Sequence, residues 1–487
     1  VNIKTAVRLM RAVAETSAIF DKEIKGFSVD SRTTTPGALF FALSPEDYRD
    51  HYFTATSFVD SHEFIPQAFE RGAVAAVART TRVTDNDALT PYRDRLLLVD
   101  DVILALQHLA HGVLESWGRP VVGITGSAGK TTTKDLTAHI LDGAGRRVLR
   151  SRCNFNNELG VALSVLQLAW GAVSPEYFDI AVLEMGMSLP GEIARHCLVA
   201  PPDIGVVLLV APVHLEFMRS IEGVAAGKAQ MIQGINPGGI AVLNADDARV
   251  AAMRTKHTSG PTVTFGITNP ADVMALDIET IGLDLTRFRL RTWHGEAEVT
   301  LPMLGHHNVM NALAASAVAA CFDIEPPVIA KALASATPTR MRGEVLRFAE
   351  GFTVVDDSYN SNPCSLTTMA KAITQVGEDV KRRVVVAGEM LELGATAAAI
   401  HRQTGREIAH VGIDALWGVQ GYSCELIEGA QEVGMPATAT LFFETSEDAG
   451  ATLADYIRPG DLVLVKGSRG ARTDKVIDAL RARYELK

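Results

Sequence analysis

The sequence predicts an α/β protein of three domains, and three observations carry that expectation. At 487 residues the chain is about three times the ~150 residues of an ordinary domain. Short apolar runs alternate with helix-periodic stretches along nearly all of it, the pattern of strands covered by helices. Breakers at Trp117-Gly118-Arg119-Pro120 and near Pro338 divide the alternation into blocks spanning 1–117, 118–338 and 339–487. An apolar content of 47% with 21% charged residues suits packed globular cores and excludes wholesale disorder.

The first block opens with Val1 to Phe20, where Lys4, Arg8, Arg11 and Glu15 fall at helical spacing among apolar residues. That spacing predicts an amphipathic helix rather than a secretion signal. Strands follow at Ala38 to Leu43, Val74 to Val77 and Leu96 to Val99, then a helix over Val102 to Glu115. In the second block, Val121 to Ile124 reads as a buried strand. Further strands are expected at Val148 to Arg150, Ile180 to Leu183, Ile204 to Val210 and Ile240 to Leu243. A β-rich patch, Thr262 to Thr300, precedes an Ala-rich helix over Asn308 to Cys321. The third block repeats the alternation at Val345 to Phe348, Phe352 to Val355, Val384 to Ala387 and Leu462 to Val465.

With 46 Lys plus Arg against 57 Asp plus Glu, the net charge is -11 and no basic run would neutralise a phosphate backbone. Nucleic acid is therefore not an expected partner. The longest apolar stretches fall far short of the ~20 residues that span a bilayer, so no membrane segment is expected. Five scattered cysteines, Cys153, Cys197, Cys321, Cys364 and Cys424, form no CxxC pair, which fits a reducing, cytoplasmic location.

The strongest chemical signal is Gly123-Ile124-Thr125-Gly126-Ser127-Ala128-Gly129-Lys130-Thr131-Thr132-Thr133, between the Val121 strand and a helix expected over Lys134 to Leu141. Glycines let successive N–H groups and the helix N-terminus face phosphate oxygens, Lys130 adds charge, and Thr131 offers a hydroxyl to Mg²⁺. The motif departs from GxxxxGK[ST], because Ile124 occupies the first glycine's place. This block therefore reads as a P-loop-type, mostly parallel sheet. Glu184 closes the Ile180 run, where a carboxylate can meet a metal or simply be a solvated charge. His214 follows the Ile204 run, and Lys228 stands among Ala225-Ala226-Gly227 and Ala229, with room to reach the same sheet edge. Asn308 and Asn311 share one helical face and either read an adenine edge or, for Asn308, cap the helix. The third block offers Arg342, Asp356 to Pro363, Gly388 to Gly394, and Lys466-Gly467-Ser468-Arg469, polar clusters beside apolar runs.

Together these stretches resemble the Mur ligases, ATP-dependent amide-forming enzymes of peptidoglycan precursor synthesis, over nearly the whole chain. Asp30-Ser31-Arg32, Asn154 to Gly160, Asp356 to Pro363, and Gly388 to Gly394 with His401 look like the branch that adds D-alanyl-D-alanine to UDP-N-acetylmuramoyl-tripeptide. The resemblance implies a small N-terminal α/β domain for the uridine substrate, a central ATP domain and a Rossmann-like C-terminal domain. It implies that Gly126, Ser127, Ala128, Gly129, Lys130, Thr131 and Thr132 hold the phosphates, and that Thr131 and Glu184 take one Mg²⁺. A second Mg²⁺ would fall to His214 and a carbamylated Lys228, since CO₂ turns a repelling ammonium into an anionic ligand. Asn308 and Asn311 would line the adenine, Arg342 would reach the γ-phosphate, and Asp356, Asp357 and Tyr359 would meet the nucleotide. Ser31 and Arg32 would face the uridine, Asn156, Asn157 and Glu158 the muramoyl peptide, and Asn360, Lys466, Ser468 and Arg469 the remaining substrate.

Lys130, Arg342, His214 and Lys228 are the expected catalytic set, in a cytoplasmic monomer. Three departures from the family pattern stand out: Ser44 to Val59 replaces a short Gly-containing loop, Gln230 replaces Glu, and Glu389 replaces Asp. The competing readings are a sister Mur-type or folylpolyglutamate-type ligase with another amine acceptor, and a P-loop kinase or nucleotide switch.

Overall fold

The computed structural model describes residues 1–51, 53, 59–84, 86–151, 155–170, 174–257, 260–376 and 379–487. The fold is three-domain α/β, with sheets parallel over most of their strands. The chain forms two compact units, Val1–Ile124 with Gly145–Gly205 and Gln233–Gly239, and Thr125–Ala144 with Val206–Ile232 and Ile240–Lys487.

The first unit begins with a five-stranded sheet built from β1 (Val13–Ala14), β2 (Gly26–Ser28), β3 (Ala38–Phe41), β4 (Ala75–Arg79) and β5 (Leu96–Val99). Their order is β1-β5-β4-β3-β2, parallel except for β1. Phe40, Ala42, Ala76 and Ala78 pack with Ile65, Ala68 and Phe69 of the neighbouring helix in one apolar cluster. The expected helix over Val1 to Phe20 is much shorter, running only over Ile3–Met10. Arg11 turns left-handed (φ 56°) while its N–H bonds Arg8 O and the Ala12 N–H bonds Val7 O. These two bonds satisfy the last carbonyls and stop the helix, and Val13 then pairs with Leu98. Of the same unit, β6 (Val121–Thr125), β7 (Val148–Arg150) and β8 (Ile180–Glu184) pair in parallel, with β8 between the other two.

In the second unit, after β9 (Ile204–Val207), the β-rich patch forms β10 (Ile240–Asn244), β11 (Thr262–Gly266), β12 (Val273–Ile281), β13 (Leu285–Thr292) and β14 (Gly295–Leu301). The first three are parallel and the last two turn back antiparallel. Regular strand geometry stops at Val207 rather than at Val210, because the next backbone groups bond to a loop and to side chains described below. The chain closes with a six-stranded sheet of β15 (Glu344–Arg347), β16 (Thr353–Asp357), β17 (Arg382–Gly388), β18 (Ala415–Val419), β19 (Thr440–Phe443) and β20 (Asp461–Lys466). Its order is β15-β16-β20-β17-β18-β19, with only β15 antiparallel. Alternate residues feed opposite cores: Val385, Ala387, Leu462 and Leu464 on one face, and Val384, Val386, Val463 and Val465 on the other. That period of two explains why these strands read as unbroken apolar runs.

No described helix is long and apolar enough to cross a membrane. Cys197, Cys321, Cys364 and Cys424 are unbridged, and Cys153 lies outside the described residues.

Candidate active site

The phosphate-loop motif folds as strand, turn and helix, with the helix over Lys130–Gly143 starting one turn earlier than expected. Gly129 is its N-cap at φ 82°, a left-handed conformation that side chains disfavour, and a methyl group there would collide with Asn311 Oδ1. Ser127, Thr131 and Thr133 are buried. Lys130 Nζ reaches back to Gly126 O at 2.9 Å, which holds its charge over the loop.

A second segment is zipped to this loop. Leu208 N–H bonds Thr125 O at 3.0 Å and Ser127 N–H bonds Leu209 O at 2.9 Å. The Ser127 hydroxyl accepts from Ala211 N at 2.9 Å. Asn244 Nδ2 donates to Leu208 O at 2.7 Å, and Asp247 Oδ2 accepts from Val210 N at 2.7 Å. Sequence reading missed Asn244 and Asp247, although Asn244-Ala245-Asp246-Asp247 is a polar cluster directly after an apolar strand and carried the needed signal.

Asn308 and Asn311 lie together on the first turns of the His306–Cys321 helix, both buried. Asn311 Nδ2 donates to Asn308 Oδ1 at 3.2 Å, and Asn311 Oδ1 accepts from Thr133 Oγ1 at 3.3 Å, so the pair is locked to the phosphate-loop helix. Asn308 is not the helix cap: Gly305 is, and Asn308 Nδ2 bonds Leu304 O one turn back at 2.9 Å.

Lys228, in the Ile221–Gln233 helix, is only 1% exposed. Burial, reinforced by the Lys130 charge, pushes its ammonium well below its ordinary value of 10.5. An amine so placed spends time neutral, as a nucleophile. His214 sits left-handed (φ 54°) at the start of the Leu215–Met218 turn, and its Nδ1 meets the Glu392 carboxylate. Glu392 O also accepts from Glu216 N at 3.3 Å. The loop carrying Glu392 is pinned twice: Met390 N–H bonds His401 Nε2 at 2.9 Å, and Leu391 N–H bonds Ser468 Oγ at 3.1 Å. His401 and Ser468 thus act on the backbone.

The remaining third-block residues gather at the carboxyl ends of β16, β17 and β20. Asp356 is buried, which raises its carboxyl above the usual range although Ser358 Oγ donates to it at 2.6 Å. Lys466 Nζ bridges Asp357 Oδ2 at 2.6 Å and Asn360 O at 2.8 Å. The Arg342 guanidinium lies over the Tyr359 ring at 4.1 Å, and Tyr359 N–H bonds Met341 O at 3.2 Å. Asn362 Nδ2 reaches Ser127 O at 3.5 Å. Arg469 points outward, 3.8 Å from Asp474.

The first unit holds the other expected residues. Glu184, 2% exposed at the end of β8, accepts from Asn156 Nδ2 at 2.7 Å, while its own N–H bonds Ser151 Oγ at 3.1 Å. Asn157 caps the Glu158–Val165 helix through Gly160 N at 2.8 Å. Glu158 turns inward, to His51 Nδ1 at 2.7 Å, Gln107 Nε2 at 3.2 Å and Arg195 Nε. Burial opposes its charge, yet His51 and Arg195 hold its carboxyl below the usual range. Ser31 Oγ donates to Gln67 Oε1 at 2.7 Å, and Arg32 is exposed and paired with Asp30.

Among the described residues no three His, Cys, Asp or Glu side chains converge as a ready metal site. The donor chemistry of the second unit nonetheless suits a nucleotide with Mg²⁺, with a hydroxyl at Thr131, an imidazole at His214 and a loop with no room for side chains at Gly129, and the first unit by itself offers a buried carboxylate at Glu184.

Comparison with known proteins gives the family and the fold. Family profiles match residues 124–319 as "Mur ligase middle domain" and 341–469 as "Mur ligase, glutamate ligase domain". The chain is 33% identical over 457 residues to the UDP-N-acetylmuramoyl-tripeptide--D-alanyl-D-alanine ligase of Bacillus subtilis, covering 94% of this chain and 93% of that one. Among solved structures it resembles MurF from Acinetobacter baumannii, with TM-score 0.86, 28% identity and 99% of each chain covered. It also resembles MurF from Thermotoga maritima in complex with ADP, with TM-score 0.78 and 28% identity over 95% of this chain and 98% of that one.

Proposed function

The chain belongs to the Mur ligase family, as an ATP-dependent ligase that joins D-alanyl-D-alanine to UDP-N-acetylmuramoyl-tripeptide in peptidoglycan synthesis, and from that premise we propose how its own residues do the joining. A carboxylate resists an amine because its carbon is electron-rich and oxide is a poor leaving group. Transfer of the γ-phosphoryl group to the tripeptide's terminal carboxylate gives an acyl phosphate, which the dipeptide amine attacks with release of phosphate. Lys130 and Arg342 offset the charge that spreads over the transferred phosphoryl. Loop residues Gly126 to Thr132 hold the phosphates, and Asn308 and Asn311 hold the adenine edge. Asp356, Asp357 and Tyr359 meet the nucleotide from the third block.

Mg²⁺, when bound, supplies positive charge at the phosphate oxygens. We assign one ion to Thr131 and Glu184, and a second to His214 and Lys228 carrying CO₂ as a carbamate. The observation that carries this assignment is Lys228: burial beside Lys130 pushes its ammonium well below the ordinary value, which favours the neutral amine that adds CO₂ with loss of a proton, and the resulting carbamate relieves the repulsion between two cations. Asn156 and Asn157 are assigned to the muramoyl-peptide side, with Glu158, turned inward, holding their helix start from behind, and Ser31 and Arg32 are assigned toward the uridine. Asn360, Lys466, Ser468 and Arg469 are assigned to the rest of the substrate. The proposed domains are 1–117, 118–338 and 339–487, consistent with profile matches at 124–319 and 341–469. We place the enzyme in the cytoplasm as a monomer.

The test follows ADP release and product mass with ATP, Mg²⁺ and tripeptide substrate, with and without D-alanyl-D-alanine. Formation of the joined pentapeptide only with the dipeptide supports the assignment. ADP release indifferent to the dipeptide would instead fit a nucleotide switch.

A further inference from the structure

Residues 44–51 belong to the segment that stands where the family has a short Gly-containing loop, and in the structure they form a tightly anchored helix over Pro45–Asp50. Ser44 caps it reciprocally with Asp47: Ser44 N and Oγ donate to Asp47 Oδ2 at 2.8 and 2.7 Å, and Asp47 N returns to Ser44 Oγ at 3.2 Å. Asp47 Oδ1 also accepts from Arg79 Nη2 and from Val102 N, each at 2.9 Å. This helix ends at His51, whose N–H bonds Asp47 O at 3.2 Å.

The two imidazole nitrogens of His51 face different carboxylates. Nδ1 lies 2.7 Å from Glu158 Oε2 and Nε2 lies 3.0 Å from Asp101 Oδ2. Asp101 caps the long Val102–Trp117 helix through Leu104 N at 2.8 Å. Glu158 is the first residue of the helix capped by Asn157, and Asn156 stands immediately before that cap. The Asn156 carbonyl accepts from Gly186 N at 2.8 Å while its carboxamide donates to Glu184 Oε1. A path therefore runs from His51 by hydrogen bond to Glu158, along the backbone of the helix start through Asn157 to Asn156, and by hydrogen bond to Glu184.

We propose that His51 is a positioning residue for Glu184, holding the Glu158 helix start so that Asn156 presents the Glu184 carboxylate in one orientation toward Mg²⁺. His51 touches neither substrate nor metal in this role. A ring that donates from both nitrogens satisfies both carboxylates at once, whereas a carboxamide turns an oxygen toward one of them. Partners that orient metal ligands change metal affinity even though they do not bind the ion. The proposal rests on the assignment of Glu184 to Mg²⁺, and its test separates the two.

The 487-residue chain would be titrated calorimetrically with Mg²⁺ in the presence of a non-hydrolysable ATP analogue, alongside analogue binding without Mg²⁺. His51→Gln is expected to weaken the Mg²⁺ titration by about 5- to 10-fold, at or below the low end of the roughly 10- to 100-fold for direct orienting partners because it acts one step further from the ligand, with metal-free analogue binding unchanged. Asp101→Asn keeps the helix cap, because Asn caps as well as Asp, and is expected to shift Mg²⁺ the same way by a smaller factor. On an Asn156→Ala background the His51→Gln effect should vanish. Wild-type Mg²⁺ binding in both His51→Gln and Asp101→Asn, with Glu184→Gln still impaired, would overturn the positioning role and leave the Glu184 assignment intact. Wild-type Mg²⁺ binding in Glu184→Gln would overturn that assignment itself.

Discussion

Gly129 and Asn311 are packed so closely that the Asn311 carboxamide oxygen occupies the space a Gly129 side chain would need. The same oxygen accepts from Thr133, one turn into the phosphate-loop helix. One asparagine thereby fixes both the loop's tightest residue and the helix that follows it, which makes the loop geometry depend on a residue far along the chain.

Gly129→Ala is expected to lower turnover by about 100-fold, the cost of a misplacement near 1 Å. Its positive φ adds roughly 1–2 kcal/mol of backbone strain. Binding of an ATP analogue should weaken while the thermal midpoint falls by only a few degrees; unaltered binding would contradict a collision that displaces the loop.

Lys228→Ala should lose about 100-fold or more in activity, as expected when a metal ligand and its charge are removed, and bicarbonate should not restore it. Intact-mass measurement of the native chain in bicarbonate should find a species heavier by one CO₂ that the variant lacks. An unmodified Lys228 in a fully active enzyme would remove the carbamate from the mechanism.

The His51 imidazole is opposed by burial but pushed up to about 9 by its hydrogen bonds to Asp101 and Glu158. Arg195 faces the same cluster through Glu158, and Asp47 with Arg79 closes it from the neighbouring helix and strand. Because the folded value lies above the unfolded value of 6.5, protonated His51 stabilises the fold fully below about pH 6.5 and loses that contribution as pH rises through about 9. The thermal midpoint of the native chain should exceed that of His51→Gln by about 2–4 °C at pH 6, the effect of roughly 1 kcal/mol, and the gap should close above pH 9. A constant gap from pH 6 to 10 would contradict a charged His51.

The Arg342–Tyr359 stack predicts a graded series. Tyr359→Phe keeps a ring face and should retain nearly full kcat, whereas Tyr359→Leu should lose about 2- to 5-fold, the equivalent of 0.5–1 kcal/mol for an exposed cation–π contact. Equal losses in both variants would show that the hydroxyl, not the ring, matters.

Much of this was legible in the primary structure because it depends on short-range pattern. The strands β5 and β7 fall where their apolar runs place them, and the phosphate loop is recognisable because glycines, a lysine and a threonine must stand adjacent in the chain to surround phosphate. The early end of the first helix was not legible, since Arg11 adopts a left-handed turn without glycine and Val13 is recruited by Leu98. The stop of β9 at Val207 was missed, because Asn244 at the end of β10 and Asp247 at the next helix cap engage Leu208 O and Val210 N, a pairing that the polar cluster hints at but that only folding brings about.

The order of residues by itself determined the α/β alternation, the phosphate cradle and the identity of the groups able to carry charge. Only tertiary structure decided that Glu158 faces inward to His51, that Glu392 meets His214, and that Lys228 is buried near Lys130 strongly enough to lose its proton easily. The physical reason is that hydrogen-bond reach is a few ångströms in space and has no fixed counterpart in sequence separation. The local pattern fixes which atoms a residue can offer, and packing decides which partner is close enough to take them.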